Sequence, residues 1–141
     1  MSDQPAGTAE AIIKSRDAAV KANAAIISHL QAQYEAINDK AYDHPLSQQD
    51  KDEMGRIVAA IGALTAWERQ MILMSLRSLN ETAEVKRLCH VVDAVNKDVE
   101  AKLQEVQRFV SGLKEVADIL SKGDEILQSL LKLAKAFGIA L

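Results

Sequence analysis

Apolar residues recur at steps of three and four along most of this chain, the spacing that places them on one face of an α-helix. The most regular stretch lies between residues 83 and 121. Its apolar positions are Val85, Leu88, Val92, Val95, Val99, Leu103, Val106, Val110, Leu113, Ala117 and Leu120. No segment alternates apolar and polar residues over the length of a strand. The pattern therefore predicts an all-α protein.

The first predicted helix spans residues 8–38, after a flexible lead-in of residues 1–7. Thr8 is the expected N-cap, because its hydroxyl can accept a hydrogen bond from a free N–H of the first turn. The apolar seam of this helix consists of Ile13, Val20, Ile27, Leu30, Tyr34 and Ile37. Arg16 and Asn23 hold the remaining positions of the seam. We therefore expect its first half to be polar and its second half apolar.

The second predicted helix spans residues 47–79 and follows a loop at residues 39–46, in which Pro45 disfavours helix at the preceding residue. Ser47 is its expected cap, with acidic residues in the first turns. Its early part is rich in small side chains between residues 59 and 64, which let helix axes approach closely. Its later part is apolar around most of the circumference. We therefore expect this helix to be central or to carry a second contact surface.

The third predicted helix spans residues 82–121. Asn80 opens a candidate turn before it, and one continuous helix through this point is the alternative. Gly123 is the expected glycine at the end of the third helix, and a short fourth helix spans residues 124–137. Short connections make consecutive helices antiparallel neighbours. The expected architecture is a single domain over residues 8–141, an antiparallel bundle of three long helices with a short C-terminal helix packed near one end.

Composition narrows the classes of partner. The 141 residues carry a formal net charge of −3 at pH 7. Because a general nucleic-acid binder carries an excess of Lys and Arg, we expect no nucleic-acid partner. The first residues lack the basic and apolar regions of a secretory signal, and the longest mainly apolar run, residues 57–67, is too short to cross a bilayer. A cytoplasmic location is therefore expected, and signal-independent secretion stays open.

Residues with reactive side chains do not form a known catalytic or metal-binding constellation. A di-iron bundle needs Glu-x-x-His on two helices, whereas Ile26, Ala41 and Arg87 stand three residues before the histidines. Cys89 has no facing base, because the adjacent His90 points about 100° away on a helix. Methionines at helical spacing are interpreted as core residues rather than haem ligands. We therefore expect no enzyme activity, no cofactor and no bound metal.

The second helix and the C-terminal segment carry the apolar residues most relevant to function. Trp67 is either a core anchor or a binding hot spot, and core placement is the first expectation. The C-terminal segment carries an apolar stripe, which consists of Leu127, Leu130, Leu131, Ala134, Phe137 and Leu141. This C-terminal stripe docks on the bundle, contacts a second copy or another protein, or lies on a membrane, and docking is expected first. The candidate interaction surface consists of Trp67, Leu73, Leu76, Leu127, Leu130, Leu131 and Phe137.

These features predict a non-enzymatic helical bundle that acts through protein–protein interaction, in an adaptor, assembly or small effector-like role. The expected partner is an unknown protein or a second copy of the chain. The alternative is a membrane-active bundle whose C-terminal or second helix binds lipid. An enzyme or cofactor protein is a third class. The fold alone does not decide among them, because helical bundles serve many unrelated functions.

Overall fold

The computed structural model describes residues 9–74, 82–110, 116–136 and 138. Within these residues the chain forms four α-helices and no strand. The helices are α1 (Ala9–Asp39), α2 (Gln48–Leu73), α3 (Thr82–Gln107) and α4 (Val116–Ala136), with a short 3-10 turn at Lys40–Tyr42. The prediction of an all-α bundle is confirmed. The predicted lead-in at residues 1–7 lies outside the described residues.

The helices pack around one common core. Helix α1 lies against α2 and α4, and α3 lies against the same two helices. Trp67 in α2 bonds to Asn96 in α3, whereas Arg56, near the start of α2, lines a surface groove with Phe109, just beyond the end of α3. Helices α2 and α3 are therefore antiparallel, and a continuous helix through residue 80 is wrong. The position of the predicted turn at Asn80 lies outside the described residues.

The start of α2 is set by a capping box, as the sequence predicts. The Asp50 backbone N–H donates to Ser47 Oγ at 3.0 Å, and the Ser47 N–H donates to Asp50 Oδ2 at 3.3 Å. These contacts satisfy N–H groups that have no partner inside the helix. The Ser47 hydrogen bonds, assisted by the Lys40 ammonium 3.3 Å away, hold the pKa of Asp50 below its ordinary value.

The boundary between the last two helices differs from the prediction. Helix α3 ends at Gln107 rather than at residue 121, and α4 begins at Val116, so the fourth helix is a full member of the bundle with 21 residues. Gly123 does not end a helix; it is buried inside α4. A glycine does follow the end of the fourth helix, at Gly138. It has a φ of 71°, and its N–H donates to Lys135 O at 3.0 Å beyond the end of α4.

The buried face of α1 agrees with the predicted seam at Asn23, Leu30 and Ile37 and differs from it at the other positions. Its fully buried positions are Ile12, Ala19, Asn23, Ile26 and Leu30, with Ile37 nearly buried. The predicted positions Val20, Ile27 and Tyr34 are partly buried and flank this face. Tyr34 shares a groove with Val58 and Ile61 of α2. Because α1 packs against both α2 and α4, its buried face differs from a single predicted seam, and Tyr34 lies at the edge toward α2.

Polar side chains meet inside the bundle at one level. We call this set the central polar layer; it consists of Asn23, Trp67, Asn96 and Gly123 together with the Leu64 carbonyl. Asn23 is completely buried, and its Nδ2 donates to Leu64 O at 3.2 Å. Trp67 Nε1 donates to Asn96 Oδ1 at 2.8 Å. A Cβ placed on Gly123 would lie 2.5 Å from the same Oδ1, so α4 meets α3 here through bare backbone. The layer therefore links all four helices.

Alanine substitution at two helical glycines should have opposite effects. Gly123→Ala should lower the free energy of unfolding by about 1–3 kcal/mol, because Asn96 must move away and weaken its bond to Trp67. Gly62→Ala is the matched control. A Cβ at Gly62 meets nothing within 4 Å, so this variant should gain about 0.5–1 kcal/mol. Urea unfolding at low protein concentration measures both; equal shifts would contradict the close packing.

The environment of Asn23 predicts a pH-dependent defect. Asn23→Asp places a carboxylate in the core opposite the Leu64 carbonyl, which should cost about 3–5 kcal/mol at pH 7. Burial raises the pKa of the new acid above its unfolded value of about 3.9. The penalty is therefore complete above the folded-state pKa and shrinks as the pH falls through it, since the protonated acid can donate to Leu64 O.

Urea unfolding at pH 7 and at pH 5 tests this prediction. Asn38→Asp is the matched control, because Asn38 lies exposed near the end of the same helix. The control should change stability by only about 0.5 kcal/mol, with little dependence on pH. If Asn23→Asp is as stable as the wild type at pH 7, the prediction is wrong and the side chain at residue 23 is open to water.

Candidate interaction surface on the second helix

The C-terminal stripe lies within the bundle over its described residues. Leu130 is completely buried, and Leu127 and Leu131 are partly buried at the edge of the core. Helix α4 packs against α1 and α3. This agrees with the first of the three predicted arrangements, docking on the protein's own core. Leu130 is therefore not part of an exposed surface, and Phe137 lies outside the described residues.

The two described members of the predicted surface in α2 differ in exposure. Trp67 is 1% exposed and belongs to the core, which agrees with the first expectation for this residue and removes it from the candidate interaction surface. Leu73 is 68% exposed. Leu76 lies outside the described residues. The structure thus keeps Leu73 as a candidate contact residue and removes Trp67.

Large apolar side chains are exposed along α2. Val58 and Ile72 are 56% and 60% exposed, and Leu73 lies beside Ile72. Single exposed apolar side chains are common on protein surfaces, whereas adjacent ones can form a patch that marks a contact site. Val58 lines the groove with Tyr34, and Ile72 and Leu73 line a second depression with Thr65. These residues extend along the part of α2 that the bundle leaves uncovered.

Small residues run along the same uncovered part of α2. We call Gly55, Ala59, Gly62 and Ala66 the small-residue stripe; all four are exposed and follow one another at steps of four, three and four. Gly62 and Ala66 form a shallow depression bordered by Thr65, among others. A Cβ on Gly55 or Gly62 would meet nothing within 4 Å. The bundle itself therefore does not require glycine at either position.

Opposite charges stand at the two ends of the small-residue stripe. Asp52 lies three residues before Gly55, and Arg69 lies three residues after Ala66. Both side chains are exposed. Asp52 Oδ1 accepts a hydrogen bond from Gln48 Nε2 at 2.9 Å. Within the described residues Arg69 forms no ion pair. The stripe is thus acidic at its N-terminal end and basic at its C-terminal end.

Reactive side chains lie elsewhere. Cys89 is buried on α3, and burial raises the pKa of its thiol. His90, next to it in sequence, is exposed. No three His, Cys, Asp or Glu side chains in the described ranges are grouped so that they could hold a metal ion. A buried thiol with a raised pKa is a poor nucleophile, so Cys89 acts as a small apolar side chain of the core.

The sequence contained a signal for this surface that the prediction did not use. The buried positions of α2 are Ile57, Ala60, Ala63, Leu64, Trp67 and Met71. The small-residue stripe has the same helical spacing but lies on the other side of the helix. The prediction noted small residues between 59 and 64 without separating the two sides. Gly55 and Ala66 extend the pattern to a length that distinguishes a second face from a wide core face.

Comparisons with protein-family models, with curated proteins and with solved structures find no match to this chain. None of the helices in the described part of the chain combines the length and the apolar character needed to span a bilayer. The function is therefore inferred from the residues of this chain alone.

Glutamate substitutions on opposite sides of α2 should separate surface from core. Leu73→Glu should change the free energy of unfolding by less than about 0.5 kcal/mol, because the side chain is already in water. Met71→Glu is the buried control. It should destabilise by more than about 3 kcal/mol, because a charge would enter the core without a partner. Thermal unfolding followed by circular dichroism measures both, and a large loss for Leu73→Glu would place Leu73 in the core.

Proposed function

We propose that this protein acts by binding another protein through the exposed face of α2, in an adaptor, assembly or small effector-like role without catalysis. The observation that carries the proposal is the exposure of Val58, Ile72 and Leu73 along the helix that also bears the small-residue stripe. We call these residues together the α2 face.

The hydrophobic effect supports a contact role for this face. Burying apolar surface contributes about 25 cal/mol per Å², so several large apolar side chains covered together can support association. The bundle leaves them in water although the same helix buries Trp67 and Met71 on its other side. These exposed apolar side chains would therefore contribute to the free energy of association when a partner covers them.

The shape of the α2 face favours a helical partner. Gly55, Ala59, Gly62 and Ala66 lack bulky side chains, so another helix can approach the backbone of α2 closely. Interaxial distances between packed helices range from about 8 to 10 Å according to the side chains at the contact. A helix has no free backbone edge for strand addition, and the formal charge of −3 does not favour nucleic acid. An apolar helix face fits this surface best.

The chemistry of the described side chains fits a binding role. Cys89 is buried and burial raises the pKa of its thiol, which suits packing better than nucleophilic attack. The pKa of Asp50 is lowered mainly by its side-chain hydrogen bond with Ser47, a contact that belongs to the capping box of α2. The pKa shifts at these two side chains therefore follow from burial and capping, without a catalytic assignment.

Site-specific photo-crosslinking in the producing cells tests the proposal. A photoreactive amino acid at Thr65, in the middle of the α2 face, should give discrete crosslinked protein bands. The same probe at Ala101, exposed on α3, is the control and should give none of these bands. Adding Leu73→Glu to the Thr65 probe should reduce the bands, since it places a charge in the apolar contact. Absence of bands at Thr65, or identical bands at Ala101, would contradict the proposal.

A further inference from the structure

The pattern of residues along α2 identifies a partner for the α2 face. Resting on the proposed function, we propose that a second copy of this chain binds the small-residue stripe, with the two α2 helices packed antiparallel about a two-fold axis. The argument uses the spacing of the stripe, the charges at its ends and the apolar residues beside it.

The spacing is that of a seam between two long helices. Steps of four and three keep residues on a line that two helices can share over several turns. The stripe, extended to the charged residues, reaches from Asp52 to Arg69 and spans about 26 Å at 1.5 Å per residue. It lies on exposed backbone, and the space outside Gly55 and Gly62 is open. A second helix can therefore lie along it without displacing any part of the bundle.

The order of residues is self-complementary in the antiparallel direction. When Gly62 lies opposite Ala59 of a second copy, Gly55 lies opposite Ala66, and Asp52 lies opposite Arg69. Each of these pairs occurs twice, as a two-fold axis requires. Both ends of the seam then carry an ion pair. In a parallel pairing Asp52 would face Asp52 and Arg69 would face Arg69, which costs free energy. The charges therefore select one orientation.

The flank of the seam is compatible with the same pairing. In the antiparallel register Val58 lies beside Thr65 of the second copy, and Lys51 lies beside Ile72. The alkyl stem of a lysine can cover an apolar side chain while its ammonium stays in water. The pairing thus covers part of the apolar surface that the bundle leaves exposed. One helix face from each copy makes a small interface, so we expect reversible association with a Kd of roughly micromolar order.

Sedimentation of the purified full chain from about 1 to about 500 µM provides the first test. A monomer–dimer equilibrium is expected. Gly62→Gln should raise the dissociation constant by about tenfold or more, because its side chain keeps the two backbones apart. Ala101→Gln on α3 is the matched control and should leave dimerisation unchanged. Circular dichroism of both variants checks that each still folds, as expected for exposed positions.

Charge exchange tests the antiparallel orientation. Asp52→Arg and Arg69→Asp should each weaken the dimer. In either variant residues 52 and 69 carry the same charge, and they lie opposite each other at both ends of the seam. The double variant carrying both substitutions should recover the wild-type dissociation constant. An equimolar mixture of the two single variants should form heterodimers, since every seam end then pairs Arg with Asp. Weakening that neither the double variant nor the mixture recovers would overturn the antiparallel pairing.

The outcomes separate this inference from the proposed function. A chain that stays monomeric up to the highest concentration overturns the second copy as partner. If the Thr65 probe then crosslinks a different protein, binding through the α2 face survives and only its partner changes. If the chain is monomeric and the probe crosslinks nothing, both proposals fail.

Discussion

The hydrogen bond from Trp67 Nε1 to Asn96 Oδ1, 2.8 Å long, is the contact on which the arrangement of the helices depends. The core is otherwise built mostly from Ala, Ile, Leu, Val and Met, side chains that pack in many registers. A buried polar contact favours the register that forms it, because a shifted register would leave the Trp67 N–H without its acceptor. Gly123 contributes the second half of this constraint, since α4 can approach Asn96 only where a side chain is missing.

The central polar layer also decides which side of α2 faces water. Trp67 must point toward α3 to reach Asn96, and the Leu64 carbonyl one turn earlier must point toward Asn23 of α1. With those directions fixed, Gly62 and Ala66 are left on the outer side of the same turns. The exposed stripe is thus a geometric consequence of the core contacts. A substitution that turns α2 about its axis would disturb the core and the proposed binding face together.

Local signals in the sequence predict which helices form better than they predict where the helices end and which of their faces are buried. The capping box at Ser47 and the all-α class follow from side chains that act on nearby backbone, and the sequence contains these directly.

The role of Gly123 does not follow from its sequence neighbours. A glycine has the same local sequence signal whether it ends a helix or leaves room for a side chain of another helix, here Asn96. The buried face of α1 was predicted only in part, at Asn23, Leu30 and Ile37, for a related reason. Its two neighbours, α2 and α4, set the direction of its buried face. Among the candidate contact residues, Leu73 is exposed, and the apolar character of the end of α2 had singled it out. Trp67 lies in the core, its first expected place; it was also kept on the candidate surface because a large aromatic side chain suits both a core and an interface.

The helical glycines allow the fold and the proposed contact to be argued separately. Glycine inside a helix costs about 0.5–1 kcal/mol relative to alanine, so each such glycine needs a physical reason. For Gly123 the reason lies within the bundle, since any side chain would meet Asn96. Gly55 and Gly62 have no such reason within the described part of the chain, because a Cβ placed on either would meet no described atom within 4 Å. The cost at these two positions is offset if a second helix lies against them. In the proposed antiparallel dimer that helix is α2 of the second copy, with Gly55 opposite Ala66 and Gly62 opposite Ala59. The same property, close approach of backbone, thus accounts for one glycine within the bundle and for two on its surface.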